Sequence, residues 1–239
     1  LFEQGFNLFI TGSAGTGKSY LVQKIISNFK NNNSDIVIMD NKIAVTSTTG
    51  ISSLNISGRT LHSWSGLGFY TSDKSCKKYL KKIEGNKSII SRWLHVKLLI
   101  IDEISMLQPE MLDTLDYIAR EIRSIDLPFG GIQVILTGDF FQLPPVYTDS
   151  DTYQKSFCFE AKCWDKLVDH YIELKTNHRQ NEKKLTKFLN YVRKSNINDF
   201  VKQNLEKFKN NPNYNKNYTH IYPRKYKVLE HNLAMLKSL

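Results

Sequence analysis

Gly12, Ser13, Ala14, Gly15, Thr16, Gly17, Lys18 and Ser19 spell G-x-x-x-x-G-K-S, a run that constrains the surrounding fold tightly. An apolar stretch at 7–11 leads into it and a helical pattern at 18–29 leads out. That context predicts a strand, a glycine-rich turn and a helix N-terminus. The glycines let backbone N–H groups close around phosphate oxygens, and the helix adds the positive end of its dipole. Lys18 is expected on the β- and γ-phosphates and the Ser19 hydroxyl on Mg²⁺. Tyr20 completes the expected ATP contact set. A glycine-rich turn that binds nothing is the plain alternative, and the flanking strand and helix weigh against it.

Further apolar runs at 42–46, 98–101, 133–137 and 171–174 alternate with helical patterns. Runs this short, bounded by turn residues, suit strands buried on both faces. The expected class is therefore α/β, a parallel doubly wound sheet flanked by helices. Pro109 opens a helix over 109–125 whose apolar stripe is Met111, Leu112, Leu115, Ile118, Ala119 and Ile122. The Lys-rich stretch 72–92 reads as one or two surface helices, 149–152 as a surface loop, and 182–195 and 199–209 as helices. Residues 210–217, Asn-rich with one Pro, read as a linker. A strand at 219–222 and a helix at 225–237 then open a second domain. The expected division is a first domain at 1–175, a helical connecting segment and linker at 176–217, and a truncated second domain at 218–239. Leu1 is not a start Met, which reads as an internal fragment with any targeting segment lost upstream.

Cys76, Cys158 and Cys163 are odd in number and lack metal-ligand spacing; Cys158 and Cys163 read as packing residues, not a redox pair, and a reducing compartment is expected. No apolar run reaches the length of a membrane span, so no membrane partner is expected. With 33 Lys and Arg against 23 Asp and Glu, the net charge of +10 suits a polyanionic partner. A Lys- and Asn-rich chain from an AT-rich genome would carry the same balance.

The run at 98–101 ends in Asp102 and Glu103. Ligands of parallel sheets bind outside the strand C-termini, so both acids are expected beside Ser19. Asp102 would help hold Mg²⁺, and Glu103 would orient or deprotonate the attacking water. An exposed acidic turn is the alternative. A guanosine-reading switch protein would need Asn-Lys-x-Asp; Asn41 and Lys42 are followed by Ile43 and Ala44, so the acid is missing.

Five more segments narrow the reading. Thr46-Ser47-Thr48-Thr49-Gly50 precedes Gly58-Arg59-Thr60-Leu61-His62-Ser63-Trp64. Pro128-Phe129-Gly130-Gly131-Ile132-Gln133 precedes Gly138-Asp139-Phe140-Phe141-Gln142-Leu143-Pro144-Pro145-Val146, and Thr176-Asn177-His178-Arg179-Gln180 comes last. In order and spacing, with Ile101-Asp102-Glu103-Ile104-Ser105-Met106, these resemble the Pif-type (petite integration frequency) DNA helicases. That family belongs to the RecD-like branch of superfamily 1. The match runs over 7–180 and resumes near 219.

The resemblance implies a RecA-like P-loop NTPase and the nucleotide-binding half of an ATP-dependent 5′-to-3′ DNA helicase. Its expected work is genome maintenance: replication, repair, recombination and telomere maintenance. Expected partners are single-stranded DNA and duplex junctions. The protein is expected to be a monomer, with assembly on DNA left open. The expected location is intracellular, not secreted: nuclear, mitochondrial or a viral replication site. Thr48, Thr49 and Gly50 match one DNA-contacting segment, and Thr60, His62 and Ser63 a second. Small hydroxyls and backbone N–H groups suit phosphate contacts that carry no sequence information. Trp64 reads equally as a core aromatic or a base-stacking one. Gln142 matches the residue that senses the γ-phosphate, and Arg179 an arginine that contacts it. With Lys18 and Glu103 these make the expected catalytic set.

Two parts of the family pattern are missing. Gln4 is too close to the glycine-rich loop to be the family's adenine-reading glutamine, so base selectivity is not encoded here. The second-domain arginine that completes the ATP site is also absent. This stretch alone is therefore expected to bind nucleotide weakly, hydrolyse it slowly and not unwind duplex. The alternatives are a P-loop ATPase that remodels protein, or a relic that binds DNA without turnover.

Overall fold

A computed structural model of the chain describes residues 1–31, 41–71, 74–147, 156–180, 182–209 and 219–237. The loop expected at 149–152 and the linker expected at 210–217 lie outside the described residues.

Six strands form one all-parallel sheet: β1 (Leu8–Gly12), β2 (Ile43–Ser47), β3 (Arg59–Thr60), β4 (Leu98–Asp102), β5 (Gln133–Gly138) and β6 (His170–Leu174). Their order across the sheet is β3-β2-β4-β5-β1-β6. The helices are α1 (Lys18–Asn31), α2 (Gly50–Asn55), α3 (Leu61–Ser65), α4 (Cys76–Glu84), α5 (Lys87–His95), α6 (Pro109–Arg123), α7 (Trp164–Leu167), α8 (Lys183–Arg193), α9 (Asp199–Lys209) and α10 (Lys225–Lys237). The chain divides into two compact units, Leu1–Lys194 and Ser195–Leu239. The whole sheet and α8 belong to the first.

Every residue of β4 is buried, and its side chains alternate between two cores. Leu98 and Ile100 join Val22 and Ile25 of α1 on one face. Leu99 and Ile101 join Leu112, Leu115 and Ile118 of α6 on the other. This is why the strand reads as an unbroken apolar run.

Pro109 occupies the first turn of α6, as its fixed φ favours. The helix ends at Arg123, two residues short of the expectation, because Ser124 turns left-handed with φ 54°. Arg123 then fastens the neighbouring chain. It donates to the carbonyls of Trp93 (2.9 Å), Leu94 (2.9 Å), Val96 (3.2 Å) and Gly130 (2.7 Å). Asp116 accepts the Phe129 backbone N–H at 2.6 Å, and the Phe129 ring is fully buried. The Pro128–Gly131 turn is thus bolted to α6 before β5 begins.

Two expectations change and one open choice is decided. In the stretch expected as surface helices, Cys76–Glu84 and Lys87–His95 form α4 and α5, but they are not simply superficial: Tyr79, Ile83 and Trp93 are buried in the α6 core. Their apolar residues are sparse but spaced to one face, so composition hid the burial. Trp64 is a core aromatic, 6 % exposed, its ring 4.6 Å from that of Trp93. Residues 219–222 form no strand. A strand needs a hydrogen-bonding neighbour, and among the described residues none pairs with this segment. Within the second unit, the Tyr222 hydroxyl lies 3.2 Å from His231 Nδ1, and the His220 and His231 rings are 4.4 Å apart.

Candidate nucleotide site

The glycine-rich loop leaves the C-terminal end of β1 and enters α1 at Lys18. A cleft of about 500 Å³ opens there, lined by Ala14, Gly15, Gly17, Lys18, Ser19, Tyr20, Glu103, Gln142, His178 and Arg179. The lining residues come from four separate stretches of sequence. The Lys18 ammonium bonds the loop's own carbonyls, Gly12 at 2.8 Å and Ser13 at 3.2 Å. Burial pushes its pKa down, opposed by Asp139, Glu103 and Asp102.

Three predicted loop contacts do not line this cleft. Gly12 is buried beneath the loop. Thr16 is 5 % exposed and spends its hydroxyl on the Ser13 carbonyl at 2.8 Å. Ser13 faces a neighbouring cleft beside α8, lined also by Lys183 and Arg193.

Asp102 ends β4, and its side chain is 4 % exposed. Its Oδ1 accepts from the Thr137 hydroxyl of β5 and from the Glu103 N–H at 2.9 Å. Asp102 does not itself line the cleft, whereas Glu103 does. Glu103 sits in left-handed backbone, φ 57° and ψ 43°, an unfavourable region for a residue with a Cβ. Thr48 helps hold it there, since its hydroxyl donates to the Glu103 carbonyl at 2.8 Å and its N–H to the Asp102 carbonyl at 3.2 Å. Burial raises the Glu103 pKa, Asp102 and Asp139 add to the rise, and Lys18 opposes it.

The Thr176–Gln180 segment is tied directly to the loop. Asn177 Nδ2 donates to the Ala14 carbonyl at 3.0 Å, and the His178 N–H to the Gly15 carbonyl at 2.8 Å. Asn177 Oδ1 accepts the N–H groups of Arg179 (2.9 Å) and Gln180 (3.1 Å), which shapes the turn that presents Arg179 to the cleft. Sequence reasoning singled out Arg179; Asn177, which does the tying, was legible only as its neighbour.

The two segments expected to touch DNA lie side by side. β2 pairs with β3 so that Ser47 is opposite Thr60, and with β4 so that Ser47 is opposite Asp102. Thr49 caps α2 by accepting the Ser52 N–H at 3.2 Å, and Thr60 caps α3 by accepting the Ser63 N–H at 3.3 Å. Gly50 and Ser63 are exposed, whereas Thr48, Thr49, Thr60 and His62 are half-buried. Burial lowers the His62 pKa, which favours the neutral ring.

Gln142 and Asp139 follow β5. Gln142 Nε2 donates to Asp139 Oδ2 at 3.1 Å, and the Asp139 carboxylate forms an ion pair with Arg193 at 2.6 Å. Arg193 carried no signal in the sequence, because its partner is 54 residues away.

A family profile described as PIF1-like helicase matches residues 1–210. The ATP-dependent DNA helicase RRM3 of Saccharomyces cerevisiae is 39% identical over 235 residues, which is 98% of this chain and 32% of the yeast protein. The crystal structure of the Pif1 helicase from Candida albicans superposes with a TM-score of 0.87 at 34% identity, covering 100% of this chain and 52% of that one. A Bacteroides Pif1 helicase, solved in complex with ADP-AlF3 and single-stranded DNA, gives a TM-score of 0.76 at 32% identity, over 98% of this chain and 53% of that one. The chain therefore spans about a third to a half of the length of these relatives. Its sheet is the RecA-like helicase sheet, and the chain belongs to the PIF1-like helicases.

Proposed function

We propose that this chain is the nucleotide-binding half of an ATP-dependent DNA helicase that moves 5′ to 3′ on single-stranded DNA and unwinds duplex in genome maintenance. One observation carries the reading. The cleft at the sheet's C-terminal edge gathers Lys18, Ser19, Glu103, Gln142 and Arg179 around a glycine-rich loop. The relatives' names, and the Bacteroides complex with nucleotide analogue and single-stranded DNA, support it.

The division of labour follows from chemistry. Backbone N–H groups of Gly15 to Ser19 cradle the phosphates, and Lys18 exchanges its loop carbonyls for β- and γ-oxygens. Glu103 accepts a proton from the attacking water; its raised pKa makes its carboxylate a stronger base than an exposed glutamate. Arg179 and Gln142 meet the charge that develops on the transferred phosphoryl group. The donors present fit Mg²⁺, which takes hard oxygen ligands and keeps several of its waters. Among the described residues, nothing bonds the Ser19 hydroxyl or the second Asp102 oxygen, so these two would hold the ion. Bound there, it would neutralise phosphate charge.

Thr48, Thr49, Gly50, Thr60, His62 and Ser63 contact the DNA backbone in this reading. Thr48, Thr49 and Gly50 follow β2, the neighbour of β4, and Thr60, His62 and Ser63 lie at the end of β3 and in α3 beside it, so strand and nucleotide occupy neighbouring parts of one sheet edge. Residues 1–175 are the first RecA-like domain, 176–217 the connecting segment, and 218–239 the opening of a second RecA-like domain. The fastening of Asn177 to the loop supports counting the connecting segment's start with the first domain's active site. The free thiols of Cys76, Cys158 and Cys163 suit a reducing compartment, nuclear, mitochondrial or a viral replication site. Among the described residues, no helix is long and apolar enough to cross a membrane.

The test is ATP turnover by the full-length protein with and without oligo-dT, followed by unwinding of a 5′-tailed and a 3′-tailed duplex. DNA-stimulated turnover and 5′-tail preference are expected. Turnover indifferent to DNA would favour a protein-remodelling ATPase.

A further inference from the structure

Arg193 is the last residue of α8, one residue before the first compact unit ends at Lys194. It lies outside every sequence motif quoted above. Its guanidinium nevertheless grips Asp139 with two bonds, Nη2 to Oδ1 at 2.6 Å and Nε to Oδ2 at 3.1 Å. The same guanidinium lies 4.3 Å from the centre of the Phe141 ring. Such a fork on a carboxylate fixes both partners in angle as well as distance.

Asp139 is only 1 % exposed, and it is not merely half of an ion pair. Its Oδ2 accepts the Gln142 side-chain amide at 3.1 Å and its Oδ1 the Phe141 N–H at 3.1 Å. A carboxylate this buried stays ionised because donors surround it, and Arg193 is foremost among those that hold its pKa below the usual range. Gln142 is itself exposed on the cleft wall, where an amide would otherwise rotate freely. The charged acceptor gives that amide one orientation.

We propose that Arg193 is a positioning residue. Through Asp139 it fixes the Gln142 amide for the γ-phosphate and ties that amide to the point where the chain leaves the first unit. A phosphate that draws on Gln142 pulls on the carboxylate that Arg193 holds, so nucleotide state reaches the end of α8 through two side chains. This inference rests on the helicase reading of the cleft.

The test uses the full-length protein with saturating oligo-dT, comparing wild type, Arg193→Met, Arg193→Lys, Gln142→Ala and the Arg193→Met/Gln142→Ala double variant. Arg193→Met is expected to lower kcat at least about tenfold with KM for ATP within about threefold, and Arg193→Lys to recover part of the loss. In the Gln142→Ala background, Arg193→Met should cost less than about a further twofold, because its route of action is already cut. Equal losses in both backgrounds, or wild-type kcat in Arg193→Met, would overturn the proposal. Arg193→Met leaves the buried Asp139 charge without its cation; if that variant does not fold, Asp139→Asn/Arg193→Met removes both charges together. That pair is expected to fold and remain slow, and a wild-type rate in it would refute the inference. A wild type with no DNA-stimulated turnover would instead sink the helicase reading and this inference with it. An active wild type indifferent to Arg193 sinks the inference alone.

Discussion

Gly15→Ala and Gly17→Ala are the same chemical change two residues apart, yet the structure predicts unequal consequences. Gly15 has φ 83° and Gly17 φ 94°, so either methyl enters backbone that L residues avoid, at about 1–2 kcal/mol. A Cβ on Gly17 would meet only His178 Cδ2 at 4.0 Å, an ordinary contact. A Cβ on Gly15 would lie 2.6 Å from Arg179 Cβ and 2.9 Å from Asn177 Oδ1, closer than atoms can sit. The Thr176–Gln180 segment must therefore move. Its two ties to the loop, His178 N–H to Gly15 at 2.8 Å and Asn177 Nδ2 to Ala14 at 3.0 Å, would be lost. At about 0.5–1.5 kcal/mol each, they make Gly15→Ala less stable than Gly17→Ala by about 1–3 kcal/mol. The gain from restricting the unfolded chain is common to both and cancels. For a domain of this size the gap is about 2–12 °C in melting temperature. Thermal unfolding followed by circular dichroism measures it without any assumption about function. If Gly17→Ala melts at or below Gly15→Ala, the proposed packing of Arg179 and Asn177 on the loop is wrong.

Lys18→Ala should abolish ATP turnover in the full-length protein, and Glu103→Gln should leave nucleotide bound but uncleaved; single-turnover hydrolysis near the wild-type rate in Glu103→Gln would remove Glu103 from the base role. Because the folded-state pKa of Glu103 is raised, the folded chain holds its proton to higher pH than the unfolded chain does. Its ionisation therefore costs stability as pH rises through that window, and the acid limb of kcat/KM, which reports the nucleotide-free site, should lie above the ordinary glutamate range. Glu103→Gln should then stabilise the fold more at about pH 7 than at about pH 4, and equal shifts in melting temperature at both would contradict the raised value. Arg123→Met strands four carbonyl oxygens, those of Trp93, Leu94, Val96 and Gly130, and should cost about 2–4 kcal/mol by urea denaturation.

What the sequence made legible follows from how each element is stabilised. β1, β4 and β5 are covered on both faces, so each is a continuous apolar run, and their expected bounds shift by a residue or so. β3 is two residues long and pairs only at an edge, so Arg59 and Thr60 read as a motif and not as a strand. The segment at 219–222 shows the converse: a strand-like pattern is no strand without a neighbour. In the site, the loop and the acids were legible because phosphate and metal chemistry narrow the residue choice. Asn177, Thr137 and Arg193 were not, since each works through a partner distant in sequence. Trp64 was undecidable beforehand, because a buried ring and a stacking ring have the same composition.

The bond from the Thr48 hydroxyl to the Glu103 carbonyl has a mechanical implication. Under the proposed roles, the loop that grips the nucleic acid hangs directly on the peptide plane that follows the acid that activates water. A tug on the loop by a bound strand would twist that plane directly. Sensing of the track and ignition of the fuel would then be separated by one hydrogen bond, so the motor would need no long relay to avoid idling when it has nothing to walk on.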